Sequence, residues 1–477
     1  MKSTNNSNNN SKWIILFIVS TVTFMAVLDS NIVNVALPVM AKSLNIADSN
    51  IQLVITVYLI IISATILFFG RLGDIIGKGK VFKFGIAIFT LGSLFCGLSS
   101  SFSVLILSRG IQAIGASGVM ANSLGIIAEV FPANERGRAL GITGTFVAMG
   151  ALAGPPLGGF IVESFSWEYI FLINLPIGIV TFFYCLKILP NGIKAANGKM
   201  DGLGAVLFIF VIVPLFAAFG KGQELGFTQP IILLGFSISI ISFFAFIFVE
   251  KKREEPLLQL GIFKNKLFSL SIFCGFISFA AIFCSLIIQP FYLQDVMQFS
   301  PGQTGLVLMV YPLILAVVAP LSGHLSDKIG GEILTFVGLV LTSVGLLFMS
   351  TLNEYSSIIS MVLFIGIMSL GNGLFQSPNN SLVMSTVPRN KLGIAGSINA
   401  LVRNLGMVCG IALATSLLYN RMSYIIGYQV TDYVVGRNDA FIYGMRIVYI
   451  TAAGICMVGA ILTAIRLFNT KKRNVKI

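Results

Sequence analysis

Apolar runs long enough to cross a bilayer recur fourteen times along this chain. They lie near residues 13–39, 51–70, 81–99, 103–131, 138–162, 168–189, 202–220, 230–249, 268–293, 304–323, 333–351, 357–384, 393–419 and 441–467. A transmembrane helix needs about 20 mostly apolar residues. Inside a bilayer every backbone N–H and C=O must be satisfied within the spanning structure, so runs of this length are helices. Composition agrees: 56% of the 477 residues are hydrophobic, 10% are charged and mean hydropathy is +0.93. Soluble domains carry about 25% charged residues. A chain so poor in charge cannot cover a soluble surface of this size, which excludes nucleic-acid binders, soluble enzymes and secreted disulfide scaffolds. The six cysteines sit in apolar runs without metal-ligand spacing and read as packing residues. Met1–Ser11 is polar and rich in Asn and Ser, and reads as a disordered tail. The run after it is too long for a signal peptide and has no small-residue cleavage site.

The formal charge of +13, from 31 Lys and Arg against 18 Asp and Glu, reports sidedness rather than an acidic partner. Basic residues collect in cytoplasmic loops. With the N-terminus inside, the inner segments hold 24 Lys and Arg and the outer segments 5. The two left over, Arg109 and Arg403, fall inside spans. This bias predicts a multi-pass protein of the cytoplasmic membrane with both termini in the cytoplasm.

Two short inner loops share one pattern. Gly70-Arg71-Leu72-Gly73-Asp74-Ile75-Ile76-Gly77 and Gly323-His324-Leu325-Ser326-Asp327-Lys328-Ile329-Gly330 both fit G-x-L-x-D-x-x-G. Parallel repeats of this kind mark two six-helix halves related by an axis along the membrane normal. The expected organisation is a tail (1–12), an N-terminal half (13–190), two extra transmembrane helices with linkers (191–267), a C-terminal half (268–467) and a second tail (468–477).

Other stretches add a family pattern: Leu28-Asp29-Ser30-Asn31-Ile32-Val33-Asn34-Val35-Ala36-Leu37-Pro38, Arg109 to Gly115, Gly150 to Gly159 as G-x-x-x-G-P-x-x-G-G, Trp167 to Gly178, Gln289 to Gln294, and Arg403-Asn404-Leu405-Gly406. Together with the repeated loops they resemble the major facilitator superfamily, and within it the fourteen-helix drug–proton antiporter family. The resemblance covers nearly the whole chain. It departs at the first loop, where Ile75 stands in place of the usual basic residue after Asp74, and at Asn31, which replaces the usual Thr. It implies an all-α membrane protein with the major facilitator fold, fourteen transmembrane helices and no enzymatic activity. The implied function is proton-coupled export of lipophilic, often cationic compounds by alternating access. The energy source would be the proton gradient, with no cofactor and no metal. Its partners would be small lipophilic substrates, protons and membrane lipids, with no nucleic acid, and the protein would act as a monomer. The alternative is a narrow transporter of one metabolite, lipid or antibiotic. No G-x-x-x-x-G-K-[ST] motif points to nucleotide-driven transport. An intramembrane enzyme would need clustered polar groups at depth, where one acid, two arginines and no histidine are expected.

Asp29 is the one acid placed deep in a span, sharing its helix face with Val22, Met25, Ala26, Ile32, Val33 and Ala36. A charge at a helix centre costs about 2.5–3.5 kcal/mol on insertion scales, so it is kept for a partner or a function. Burial and a neighbouring cation pull an acid in opposite directions, which lets its protonation follow its surroundings. Asp29 is therefore the candidate proton carrier, or else a helix-pairing residue. Arg109, which keeps its charge, is implied by the resemblance as its companion. Asp29, Met25, Gln112, Arg403 and Tyr292 are candidates for a substrate cavity. Gly70, Asp74, Gly77, Arg138 and Asp327 are candidates for a cytoplasmic gate, with Asp74 expected to pair with Arg136 or Arg138. Gly150, Gly154, Pro155, Gly158 and Gly159 form the expected antiporter motif, a flat helix surface for close packing. His324, the only histidine, reads as incidental.

Overall fold

The computed structural model of the protein describes residues 3–132, 135–190, 200–226, 228–253, 256–388 and 392–474. Every regular element among these residues is helical, and fourteen helices are long and apolar enough to cross a membrane. They are α1 (Ser11–Leu44), α2 (Asp48–Ile76), α3 (Lys78–Gly97), α4 (Phe102–Val130), α5 (Arg136–Ser164), α6 (Tyr169–Ile188), α7 (Gly202–Gly220), α8 (Pro230–Lys252), α9 (Lys266–Val296), α10 (Pro301–Ser326), α11 (Gly331–Met349), α12 (Ile358–Ser385), α13 (Ile394–Ile426) and α14 (Asn438–Leu467). Neither expected tail is irregular where it is described. The first helix begins at Ser3 and the last continues to Asn474. Extending an existing helix avoids the nucleation cost that an isolated polar segment would face.

The chain divides into two compact units. The first unit is Met1–Val33 with Leu53–Gln259, and the second is Asn34–Gln52 with Leu260–Ile477. The extra pair α7 and α8 belongs to the first unit, where Ser239 Oγ donates to Val211 O at 2.6 Å. Segment 34–52 belongs to the second because polar contacts fix it there. Gln294 Nε2 donates to Val35 O (2.9 Å), and Lys42 Nζ lies 2.7 Å from Asp295 Oδ1. The Asp48 N–H donates to Asp432 Oδ1 (2.8 Å), and the Tyr433 N–H donates to Asp48 Oδ2 (3.0 Å).

The internal repeat reappears as packing. In the first unit a Cβ on Gly115 of α4 would lie 2.7 Å from Gly85 O of α3. In the second, a Cβ on Gly371 of α12 would lie 2.7 Å from Gly338 O of α11. Likewise Gly150 of α5 meets Phe24 O of α1 (2.8 Å), and Gly406 of α13 meets Phe276 O of α9 (2.7 Å). Only glycine lets two helix backbones approach this closely. The two loop motifs are explained the same way. Their last glycines, Gly77 and Gly330, take φ of +104° and +90° where one helix ends and the next begins. Side-chain-bearing residues rarely adopt that conformation.

One buried cation was not visible as such in the sequence. Arg466, one of the 24 basic residues assigned above to inner segments, lies within α14 and is 5% exposed. Its guanidinium donates to Ser271 Oγ of α9 (3.1 Å) and Thr335 Oγ1 of α11 (2.7 Å), and Glu332 Oε1 lies 4.0 Å away. It ties three helices of the second unit together.

Close packing of α5 on α1 is directly testable. A Cβ on Gly154 would lie 2.6 Å from Asn31 Cβ, whereas one on Gly144 of the same helix meets nothing within 4 Å. Gly154→Leu should therefore destabilise the purified protein by about 1–3 kcal/mol through overpacking. Gly144→Leu should leave it unchanged or slightly more stable. Thermal midpoints in detergent measure this, and equal midpoints for the two variants would contradict the packing.

Candidate functional site

The first unit encloses a polar cluster contributed by five helices. Asp29 projects from α1, and Arg109 and Gln112 lie one turn apart on α4. Ser93 comes from α3, Asn174 from α6, and Val54 and Tyr58 from α2. Asp29, Arg109, Gln112, Ser93 and Asn174 are all 0% exposed. Charged and amide groups enclosed at this depth depend on one another for hydrogen bonds.

The carboxylate of Asp29 accepts three hydrogen bonds. Arg109 Nη1 donates to Oδ2 at 2.7 Å. Gln112 Nε2 and Asn174 Nδ2 both donate to Oδ1 at 2.8 Å. Arg109 has further acceptors of its own. Its Nε donates to Val54 O (3.0 Å) and its Nη1 to Gln112 Oε1 (2.6 Å). The guanidinium also lies over the rings of Tyr58 (4.2 Å) and Phe171 (5.4 Å), favourable cation–π geometry. Gln112 bridges onward to Ser93 Oγ at 2.8 Å. Protonation of Asp29 would therefore weaken its hold on α4 without leaving Arg109 alone.

The turn of α1 that carries Asp29 is flanked by the glycine face of α5. Gly150 meets Phe24 O, Gly154 meets Asn31, and Gly158 meets Ile32 O at 2.7 Å. Pro155 and Gly159 are buried in the same helix. Met25 and the other expected face residues of α1 are all buried.

The remaining candidates lie elsewhere. Tyr292 sits in a π-helical turn at the end of α9 and donates its hydroxyl hydrogen bond to Asn353 O at 2.7 Å. Arg403 lies on α13 in the second unit. At the first loop Asp74 pairs with Lys78 at 2.8 Å, not with Arg136 or Arg138, and Lys78 also reaches Glu129 at 2.8 Å. Lys78 starts α3 one turn beyond Asp74, which brings it closer than either arginine. Arg136 instead donates to Phe131 O (3.0 Å), and the Arg138 guanidinium lies 5.0 Å from the Trp13 ring. A Cβ on Gly70 would have ordinary room, 4.0 Å from Ala121. Asp327 falls in the helix Val310–Ile329, and its side chain lies outside the described residues. Asn174 and Ser93 escaped sequence reading. Asn174 was visible only as one amide in the otherwise apolar run Tyr169–Gly178.

The sequence model of the Major Facilitator Superfamily matches residues 19–411 and 271–477. A protein named riboflavin transporter RibZ, from Clostridioides difficile, is 37% identical over 464 residues, covering 97% of this chain and 99% of that one. The multidrug resistance protein Stp of Mycobacterium tuberculosis is 31% identical over 396 residues, covering 83% and 74%. A crystal structure of a bacterial homologue of the human lysosomal transporter Spinster shares the fold, with a TM-score of 0.66 at 15% identity over 95% and 96% of the two chains.

Removing one member of a buried ion pair leaves the other uncompensated, at about 3–5 kcal/mol. Arg109→Leu alone should cost stability on that scale. Adding Asp29→Asn should recover part of the loss, because the orphaned charge is gone. Thermal midpoints of the single and double variants in detergent measure the coupling. Simple additivity of the two substitutions would contradict the pairing.

Proposed function

The chain belongs to the major facilitator superfamily, and from that premise we propose that it is a proton-coupled antiporter exporting small lipophilic molecules across the cell membrane, with both termini in the cytoplasm. The observation that carries this reading is the sealed Asp29 cluster. Its one carboxylate is fully buried and accepts from three donors, and the paired cation has other acceptors to fall back on.

A proton reaching Asp29 neutralises the charge that holds those donors, and Oδ2, which accepts from Arg109 alone, has a lone pair to receive it. The neutral acid no longer attracts Arg109 as an ion, so α1 loosens from α4 while Arg109 stays bound to α2 through Val54 O. Loss of the proton restores the clamp. Two states that differ in this contact differ in proton affinity, and a gradient can therefore bias the equilibrium between them. Because α5 holds the same turn of α1 through its glycines, the change is passed to a second helix rather than absorbed locally. In this reading Gly70, Asp74 and Gly77 form the cytoplasmic gate, closed by the Asp74–Lys78–Glu129 bridge. Substrate then crosses by alternating access of two halves built from one repeat.

A second reading has its own support: a transporter of a single metabolite. The 37% identity to a riboflavin transporter extends over nearly the full length of both chains. The Stp relative, named for multidrug resistance, favours the broader reading.

Proteoliposomes with an imposed pH gradient test both. Proton movement should follow addition of at least one of riboflavin, ethidium or norfloxacin, and Asp29→Asn should abolish it. Responses to several unrelated compounds support the broad reading, and a response to riboflavin alone the narrow one. Unchanged proton movement in Asp29→Asn would place coupling elsewhere.

A further inference from the structure

A census of the charges at membrane depth singles out one residue. Asp29 accepts from Arg109, Gln112 and Asn174. Glu129 is held by Lys78, and Asp295 by Lys42 through Oδ1; Asp295 Oδ2 has no partner, but Asp295 lies one residue from the end of α9. Arg466 is held by Ser271 and Thr335. Arg403 differs: among the described residues its side chain has neither an ion pair nor a hydrogen bond, and its buried Nε has no partner. Arg421 also has an unpaired Nε, but it lies five residues from the end of α13, within reach of the interface. Arg403 lies nine residues into α13, about 14 Å along the helix. A buried guanidinium Nε without a partner is costly at that depth, and the residue cannot escape the cost by losing its proton.

Arg403 is only half-buried, and polar groups lie beside it on α13 and α12. Residues 399, 403 and 406 share one face of α13. Asn399 Nδ2 donates to Asn380 Oδ1 of α12 at 2.9 Å. Gly406 meets Phe279 Cβ of α9 at 3.0 Å. Arg403 therefore lies on the face between an amide pair and an aromatic residue. The adjacent Asn404 is 3% exposed, and its Nδ2 also lacks an acceptor. Both unsatisfied groups are donors.

The repeat sharpens the contrast. The matched glycines Gly150 with Gly406 and Gly154 with Gly410 place Val147 of α5 opposite Arg403, and Val147 is 37% exposed. The same correspondence places Ala281, Ile365 and Met368 opposite Asp29, Arg109 and Gln112. The second unit thus has no counterpart of the acid cluster, and the first has no counterpart of the arginine.

We propose that Arg403, with Asn404 beside it, anchors the substrate, and that substrates present a hydrogen-bond acceptor to it: a carboxylate, a carbonyl or a comparable oxygen. This rests on the transport reading above and narrows it. The favoured class is anionic or neutral and acceptor-rich, because the unsatisfied groups of Arg403 and Asn404 are both donors.

Two dyes that share a xanthene ring separate the alternatives. Fluorescein is anionic and rhodamine 6G is cationic. Binding of each to the full chain in nanodiscs is followed by fluorescence anisotropy, which needs no proton gradient. The wild type should bind fluorescein more tightly than rhodamine 6G. Arg403→Gln should weaken fluorescein about 10- to 100-fold, the scale of lost hydrogen bonds to a charged group. It should leave rhodamine 6G unchanged or tighter, and Arg403→Lys should recover part of the fluorescein affinity. A purely structural role would lower both dyes together. That result, or wild-type binding of fluorescein no tighter than rhodamine 6G, would overturn the proposal. Intact dye selectivity in a protein that moves no protons would instead overturn the coupling reading and leave this one standing.

Discussion

A carboxylate and a guanidinium enclosed away from water have to find each other, and the first unit is arranged around that requirement. Asp29 and Arg109 meet at 2.7 Å with neither side chain exposed. Desolvating two such charges is expensive, and attraction offsets the cost only when every other polar atom is satisfied as well. Gln112, Asn174, Ser93 and Val54 O supply most of those contacts from α2, α3, α4 and α6, while Asn174 Oδ1 and the Tyr58 hydroxyl have no hydrogen-bond partner. The cluster therefore fixes which helices surround α1. In the proposed coupling α1 would respond to one proton, since the central attraction exists only while the acid is charged.

The two halves use one scaffold for different chemistry. Paired glycines set the same close approaches in both, α3 on α4 and α11 on α12, then α1 on α5 and α9 on α13. The side chains grafted onto matching positions differ. The first unit carries the acid cluster, where the second has Ala281, Ile365 and Met368; the second carries Arg403, where the first has Val147. A repeat of this kind conserves backbone contact and leaves neighbouring positions free to specialise, so coupling and substrate contact can reside in separate halves.

Much of the fold was legible because lipid imposes simple rules. Span number follows from apolar length, and the repeat from the two G-x-L-x-D-x-x-G loops. Asp29 and Arg109 stood out because charges in apolar runs are rare. Their immediate partners did not. Asn174 and Ser93 are uncharged residues in apolar helices, and nothing local distinguishes them from ordinary polar packing. Arg466 was misplaced because it sits near a basic end, and only three-dimensional contact with Ser271 and Thr335 shows it to be interior. The partner of Asp74 was missed for a related reason: three cations lie within reach in sequence terms, and helix geometry selects Lys78. The placement of segment 34–52 in the second unit depends on bonds across hundreds of residues, such as that between Asp48 and Asp432.

The central claim is that Asp29 itself carries the coupled proton. Infrared difference spectroscopy of the reconstituted protein reads the carboxyl group directly. The spectrum is recorded on substrate addition at fixed pH, using whichever of riboflavin, ethidium or norfloxacin drives proton movement. The account predicts a change in the protonated-carboxyl C=O band in the wild type that is lost in Asp29→Asn. The same band change persisting in Asp29→Asn would contradict it.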